Sequence, residues 1–523
     1  MDTIFTYKIN ELHTVLAQKN AEIKQYLATI NTMQEEIHLL RAQMYGKSRE
    51  VTPEIQVPTL FNEMEVLTQQ PEPEPTPETI KPRRSPTKRE DRFKNLPERD
   101  IHYQLAEEDQ ICKTCNHPLH EIDTEIRTEL EYVPAVYTQV NHIMHKYGCR
   151  NCQTEGNAAP IVIAPMPKPA FPGSMASASI VAHVAVSKFD YGLPLYRQER
   201  AIDSAGIIHL SRQTLANWML QGSNQLYVIY LFMRTMLLNR DIIHADETTV
   251  QVLKENGRHA STKSYMWLYR TGRDGPPIVL FEYKCTRSGQ NPITFLKDFS
   301  GFLQTDGYVG YDNLNDSIVR VACWAHARRK FTDALKVVPA GASAKATASN
   351  TGLKFCNLLF DKEREFKDLT PEERHEKRNT VCKPILDAFK KWLDEQSVIM
   401  LPKSKLGAAV GYCINQWPKL LGYLQDGRLE IDNNRAERSI KNFVIGRKNW
   451  LFANTPDGAE ASAIYYSIIE TAKENGLNPY DYLKNVFDML PNIKTSDPNS
   501  IAELMPWSET MQRLCRIAIP KQD

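Results

Sequence analysis

IIHADETTVQVL, residues 242–253, opens as an apolar strand pattern and carries Asp246 in its middle. β-branched and apolar residues on either side mark a strand that is buried rather than solvated. A carboxylate in such a place is costly unless a partner or a cation compensates its charge. Two other stretches repeat the anomaly. FLQTDGYVGYDNL, residues 302–314, sets Asp306 at the end of an apolar run, and EIDNNRAERSIKNFVIGRKNW, residues 430–450, sets Glu437 in the first turn of a helix crowded with Arg and Lys. Strand ends and first helical turns are where carboxylates from distant parts of a chain meet around a pair of divalent cations.

Working outward from residue 242, SYMWLYR (264–270) and PPIVLFEYK (276–284) read as a second and third strand. A short helix near NPITFLKDF (291–299), the strand FLQT, another brief helix, the strand SIVRVACW (317–324) and the helix AHARRKFTDAL (325–335) follow. A three-strand antiparallel meander followed by alternating helices and strands is the order of the ribonuclease-H-like α/β fold. In that order Asp246 lies on the central strand, and Asp306 lies just past the end of its neighbour. Two Mg²⁺ or Mn²⁺ ions about 3.5–4 Å apart, held by Asp and Glu oxygens, are the arrangement that cuts and rejoins a phosphodiester. Thiolate or imidazole ligands favour softer metals.

For the third carboxylate, Asp432-Asn433-Asn434 reads as a helix N-cap, with Ile440 and Val444 turned to the core and Glu437 held rigidly. Arg438, Lys441, Arg447 and Lys448 around it suit a DNA backbone. The alternatives are that Glu437 merely neutralises a basic helix, or that Asp432 is the ligand and Glu437 a cap partner. Cys323 and His326 form a CxxH whose default reading is a satisfied core pair, with DNA-end contact or metal binding as alternatives.

The remaining chain divides by composition. Residues 1–48 carry Ile9, Leu16, Ile23, Ile30, Ile37 and Met44 every seventh position, with Leu12, Tyr26, Met33 and Leu40 three positions after most of them. That a/d seam predicts a coiled coil and a homo-oligomer, with an amphipathic helix packed on its own chain as the alternative. Residues 49–96 turn to Pro, Glu, Thr and Lys, including PEPEPTPE and KPRRSPTKREDRFK, a disordered linker by composition. Its basic half either touches phosphates or is a solvated charge run. In residues 97–165, Cys112-x-x-Cys115 and Cys149-x-x-Cys152 are two knuckles able to close a tetrahedral structural Zn²⁺ site, joined by a stretch that alternates like β-strands.

Residues 166–238 read as a helical module. Helix, glycine-containing turn and a helix opened by Ser211 is helix-turn-helix grammar, with an ordinary helical hairpin as the alternative. Arg212, Gln213 and Asn217 are then the candidate base readers, while Leu215 and Trp218 pack inward. Residues 239–455 form the catalytic domain, interrupted at about 340–428 by a strongly helical insertion. Residues 456–523 follow as a C-terminal segment with two helices split by Gly476 and Pro479.

The totals bound the answer. A chain of 523 residues exceeds the size of one core. With a formal net charge of +1, affinity for nucleic acid has to come from local basic clusters. The N-terminus lacks an export signal, and YVIYLFM (227–233) is far short of the roughly 20 apolar residues of a membrane span. Ten cysteines, four of them in CxxC pairs, suit a reducing compartment, so the expected place is the cytoplasm, at the nucleoid.

HADETTVQV, TDGYVGYDNL, CWAHARRKF and DNNRAERSIKNFVIGRKNWLFANTPDGA together resemble transposases of the insertion sequence 66 family. So do MYGKSRE, the double CxxC, SKFDYGLPLYRQER and LSRQTLANWM, in the family's order, so the resemblance covers nearly the whole chain. It implies that Asp246, Asp306 and Glu437 are a DDE triad. It also implies an enzyme that binds the terminal inverted repeats of its element and carries out metal-dependent strand cleavage and transfer on transposon-end and target DNA. Small accessory proteins of the same element are implied partners. A catalytically silent DNA-binding regulator and a nuclease of the same fold without strand transfer are the competing readings.

Overall fold

The computed structural model describes residues 19–20, 22–23, 137–148, 161–206, 208–336 and 347–517. The proposed coiled coil and linker lie outside these residues apart from Lys19, Asn20, Glu22 and Ile23, which are helical, with a Lys19–Glu22 ion pair of 2.8 Å. Cys112, Cys115, Cys149 and Cys152 also lie outside them. The chain divides into two compact units, residues 70–164 and the remainder.

In the smaller unit, β1 (Lys146–Gly148) pairs antiparallel with β2 (Ile161–Ile163), Tyr147 opposite Val162.

The larger unit is built on a mixed sheet that has, among the described residues, five strands: β3 (Ile242–Gln251), β4 (Lys263–Thr271), β5 (Val279–Lys284), β6 (Gly301–Thr305) and β7 (Ile318–Ala322), in the order β5-β4-β3-β6-β7. β3, β4 and β5 form the antiparallel meander, while β6 runs parallel to β3 and β7 parallel to β6. This is the strand order expected for a ribonuclease-H-like core. β4, with Met266, Trp267, Leu268 and Tyr269 fully buried, has the continuous apolar run of a strand covered on both faces.

Helices α1 (Ala178–Phe189), α2 (Leu195–Ser204) and α3 (Arg212–Leu238) precede the sheet. Ser211 caps α3 by accepting from the Thr214 N–H at 3.2 Å, as its position in the sequence predicts. α3 runs for 27 residues, well past the proposed reading end, and buries Leu226, Ile229, Met233 and Leu237. Residues 166–238 therefore share a compact unit with the sheet.

After α4 (Gln290–Phe295) and α5 (Trp324–Leu335), the region expected as an insertion is helical: α6 (Ala348–Glu365), α7 (Pro371–Lys377), a π-turn over Arg378–Cys382, α8 (Lys383–Ile399) and α9 (Lys405–Leu420). Phe389, Leu393 and Trp417 of these helices join Phe331 and Trp324 of α5 in one apolar cluster. The insertion is thus anchored to the sheet's own helix. α10 (Asn434–Trp450) then returns to the sheet, packing on β3 and β4, and α11 (Pro456–Glu474) packs on β5 and α3. α12 (Pro479–Met489) follows Gly476, whose φ of +75° lets the chain reverse without a Cβ penalty. The tail, uninformative in sequence, adds α13 (Pro498–Ala502) and α14 (Glu509–Cys515). Among the described residues no helix is long and apolar enough to cross a membrane.

Candidate active site

The register of β3 and β6 explains how Asp246 and Asp306 come together. Their last paired residues are His244 and Gln304. Asp246 and Asp306 each stand two residues beyond, Asp246 still within β3 and Asp306 just past the end of the parallel β6. The Asp246 carboxylate accepts the Glu247 backbone N–H at 2.8 Å, and Asp306 accepts the Tyr308 N–H at 2.9 Å, so both are held by the turn of their own backbone.

Glu437 arrives on the first turn of α10 and is buried. Asn433 fixes that helix. It stands at the N-cap position without a side-chain cap; its amide Nδ2 donates to the Ala245 carbonyl at 2.9 Å and its Oδ1 meets His244 Nδ1 at 2.9 Å. Because Nδ2 is committed to Ala245, Oδ1 is the acceptor and His244 donates from Nδ1. Burial lowers the His244 pKa to about 4, so this ring is neutral near pH 7. The capping role falls to Asp432, whose carboxylate accepts the Asn434 N–H at 3.1 Å. Asn433 thus ties the two residues preceding Asp246 to the residue four before Glu437.

Electrostatics carry the signature of a cation site. Burial holds the Asp246 carboxyl well above its ordinary pKa, and the charges of Glu247, Asp306 and Glu437 push it further in the same direction. Burial and the Asp306 charge likewise raise Glu247 to about 7, against the pull of Arg287 and a hydrogen bond from Tyr311. Such a pile-up of buried negative charge is what divalent cations relieve. Glu437 Oε1 is buried without a hydrogen-bond partner, 3.8 Å from His326 Nδ1. Asp246 and Asp306 offer hard oxygens of the kind Mg²⁺ or Mn²⁺ prefers, whereas the ligand atoms that the structure brings within 4.8 Å of one another among the described residues are those of Cys323, His326 and Glu437.

Sequence reasoning missed Glu247. Alternation along β3 assigns it to the face opposite Asp246, yet it is buried, with Tyr311 Oη at 2.7 Å from Oε2 and Arg287 Nε at 2.9 Å from Oε1. Arg287 stacks on the Tyr308 ring at 3.8 Å, and Tyr308 is the residue whose N–H holds Asp306. The acidic pair inside an apolar strand was the available signal.

The proposed DNA contacts separate into two groups. Arg438 and Lys448 of α10 are exposed and Lys441 is half-buried. Arg447 departs from the expectation of a DNA-facing side chain. It is buried, its guanidinium lies 3.1 Å from Thr249 Oγ1 on β3, and burial lowers its pKa to about 10. The 100° helical step that puts Arg438 and Lys441 outside carries residue 447 back under the sheet. Arg212, Gln213 and Asn217 are exposed at the start of α3, Gln213 donating to Asn217 at 3.0 Å, while Leu215 and Trp218 are buried. Cys323 and His326, read as a core pair, are buried beside Glu437.

Comparison with known proteins bears on this site. Residues 173–461 match the family model described as Transposase IS66 family, residues 467–507 that of the IS66 C-terminal element, and residues 109–153 that of the zinc-finger binding domain of transposase IS66. Among curated relatives, "Uncharacterized protein y4jD" of Sinorhizobium fredii is 31% identical over 79% of this chain and 81% of the relative. "Uncharacterized protein y4hP" of the same organism is 26% identical over 77% of this chain and 74% of its own length.

Proposed function

Since the chain belongs to the IS66 family of DDE transposases, we propose that Asp246, Asp306 and Glu437 are its catalytic triad and that it cuts DNA at the terminal repeats of its own element and joins the freed ends to target DNA. The observation that carries this reading is the parallel register of β3 and β6, whose last paired residues, His244 and Gln304, each lie two positions before an aspartate of the triad. Two Mg²⁺ or Mn²⁺ ions held by the triad would activate the attacking hydroxyl and stabilise the leaving oxygen. The protein's own part is positional. β3 and β6 carry the two aspartates to neighbouring strand ends, where they stay partly open to solvent, and Asn433 sets the buried third carboxylate.

Within this reading Arg438, Lys441 and Lys448 bind phosphates next to the cut, and Arg212, Gln213 and Asn217 read the element's ends. Cys112, Cys115, Cys149 and Cys152 hold a structural zinc, and the N-terminal heptads join copies of the chain. The domain limits given by the sequence, including the helix-turn-helix module and the insertion at about 340–428, belong to the same proposal.

The test is a cleavage and joining assay on DNA carrying the element's termini, with Mg²⁺ or Mn²⁺. Asp306→Asn should abolish cutting and leave end binding unchanged; undiminished cutting by that variant sinks the triad. Binding without metal-dependent products from the wild type would identify a silent regulator. Hydrolysis without joined products would identify a nuclease.

A further inference from the structure

We propose that Cys323, His326 and Glu437 form a second metal site, selective for a borderline-soft divalent ion such as zinc, and that filling it draws Glu437 away from the aspartates. Cys323 stands at the N-cap of α5 and His326 three residues on, a spacing that puts both on one side of the first turn. Glu437 meets them from the first turn of α10. One ligand atom from each residue, sulfur, ring nitrogen and carboxylate oxygen, lies within 4.8 Å of the others.

Two independent details favour a cation there over simple packing. The Glu437 side chain is only 9% exposed, and its Oε1 has no hydrogen-bond partner. Its approach to His326 Nδ1 is 3.8 Å, too long for a hydrogen bond between them. Cys323 Sγ, in turn, accepts the Asn433 backbone N–H at 3.1 Å, the kind of outer contact that stabilises a metal-bound thiolate. With bonds of roughly 2.0–2.3 Å, tetrahedral zinc would hold these atoms about 3.3–3.6 Å apart, so closure asks for movement of about an ångström. One sulfur, one nitrogen and one oxygen, with a fourth position for water, is a zinc donor set and a poor one for Mg²⁺.

Arg329 Nη2 lies 3.8 Å from Glu437 Oε2, so the ion would enter on the Oε1 side. Glu437 is then shared between two sites of opposite metal preference. The zinc site stands on geometry alone, whereas its effect on cutting rests on the triad reading above.

Zinc is titrated calorimetrically into the full-length chain, whose purified zinc content has been measured, and into Cys323→Ser and His326→Ala. Serine keeps an acceptor for the Asn433 N–H, and thermal unfolding verifies that each variant is folded. The wild type should take up one more equivalent than either variant, with affinity in the variants weaker by about tenfold or more. Cobalt substituted for that added zinc should give a thiolate charge-transfer band that Cys323→Ser lacks. Equal uptake by all three proteins overturns the site. In parallel, added zinc should suppress Mg²⁺-driven cutting by the wild type, each protein being normalised to its own zinc-free rate, and suppress the variants far less. Extra uptake with unimpaired cutting overturns the sharing of Glu437. Absence of cutting in any metal defeats the triad reading and leaves the titration to decide the zinc site.

Discussion

Burial and the neighbouring carboxylates hold the Asp246 carboxyl far above its usual range, so the folded chain bears a cost whenever that group ionises. Removing the charge should stabilise the metal-free protein. Asp246→Asn is expected to raise its melting temperature at pH 8 by about 1–2 °C for each kcal/mol of relieved repulsion, given the size of the unit, and to abolish cutting. A lowered melting temperature would show that Asp246 is stably paired without metal. Glu247 supplies a pH test of the same physics. Its folded pKa of about 7 lies above the ordinary 4.5, so its stabilising contribution is full below the unfolded value and is lost as pH rises through about 7. Between pH 5 and 8 the metal-free wild type should therefore lose melting temperature relative to Glu247→Gln, and Mg²⁺ should restore much of it. Parallel curves for the two proteins would refute this. Asp246 was legible in the sequence because a carboxylate inside an apolar strand has few innocent explanations. Glu247 was not, since its partners Tyr311 and Arg287 are 64 and 40 residues away.

Two elements carry the geometry, and each hangs on one residue. Asn433→Ala would leave the Ala245 carbonyl and the His244 ring buried without their partner, at about 1–3 kcal/mol for each group. Because α10 is then released from β3, the variant should need more Mg²⁺ for half-maximal cutting while binding DNA ends as tightly as before. An unchanged Mg²⁺ requirement would reduce Asn433 to a structural role. At the start of β6, Gly301 has φ +144°, and a Cβ there would sit 2.3 Å from the Asp241 carbonyl oxygen, which accepts the Phe302 N–H. Gly301→Ala should push β6 off β3, lower stability by about 1–3 kcal/mol and impair cutting through misplacement of Asp306. Unchanged melting and cutting would show that the strands tolerate the shift. The strands and helices themselves were readable from periodicity. The true role of Asn433 was not, because Asp-Asn-Asn before a helix has the same composition whether its side chains cap or reach across to a sheet.

Over the whole molecule, the chain divides into residues 70–164 and the remainder. Cys112→Ser should release one zinc and weaken binding of DNA ends, while metal-dependent cutting of DNA already bound persists; retention of the full zinc content would show the ligands to be misassigned. Sequence alone determined the order of the strands and helices, the two cysteine knuckles and the three outlying carboxylates, since these depend on local pattern: apolar periodicity, caps, turns and short spacings. Tertiary structure decided that β3 and β6 pair in parallel up to His244 and Gln304, two residues short of Asp246 and Asp306, that Arg447 is buried against β3 and that Glu437 lies beside a buried CxxH. Strand register, helix rotation and burial are set by packing among residues tens to hundreds of positions apart, and no local pattern encodes a distance of that kind.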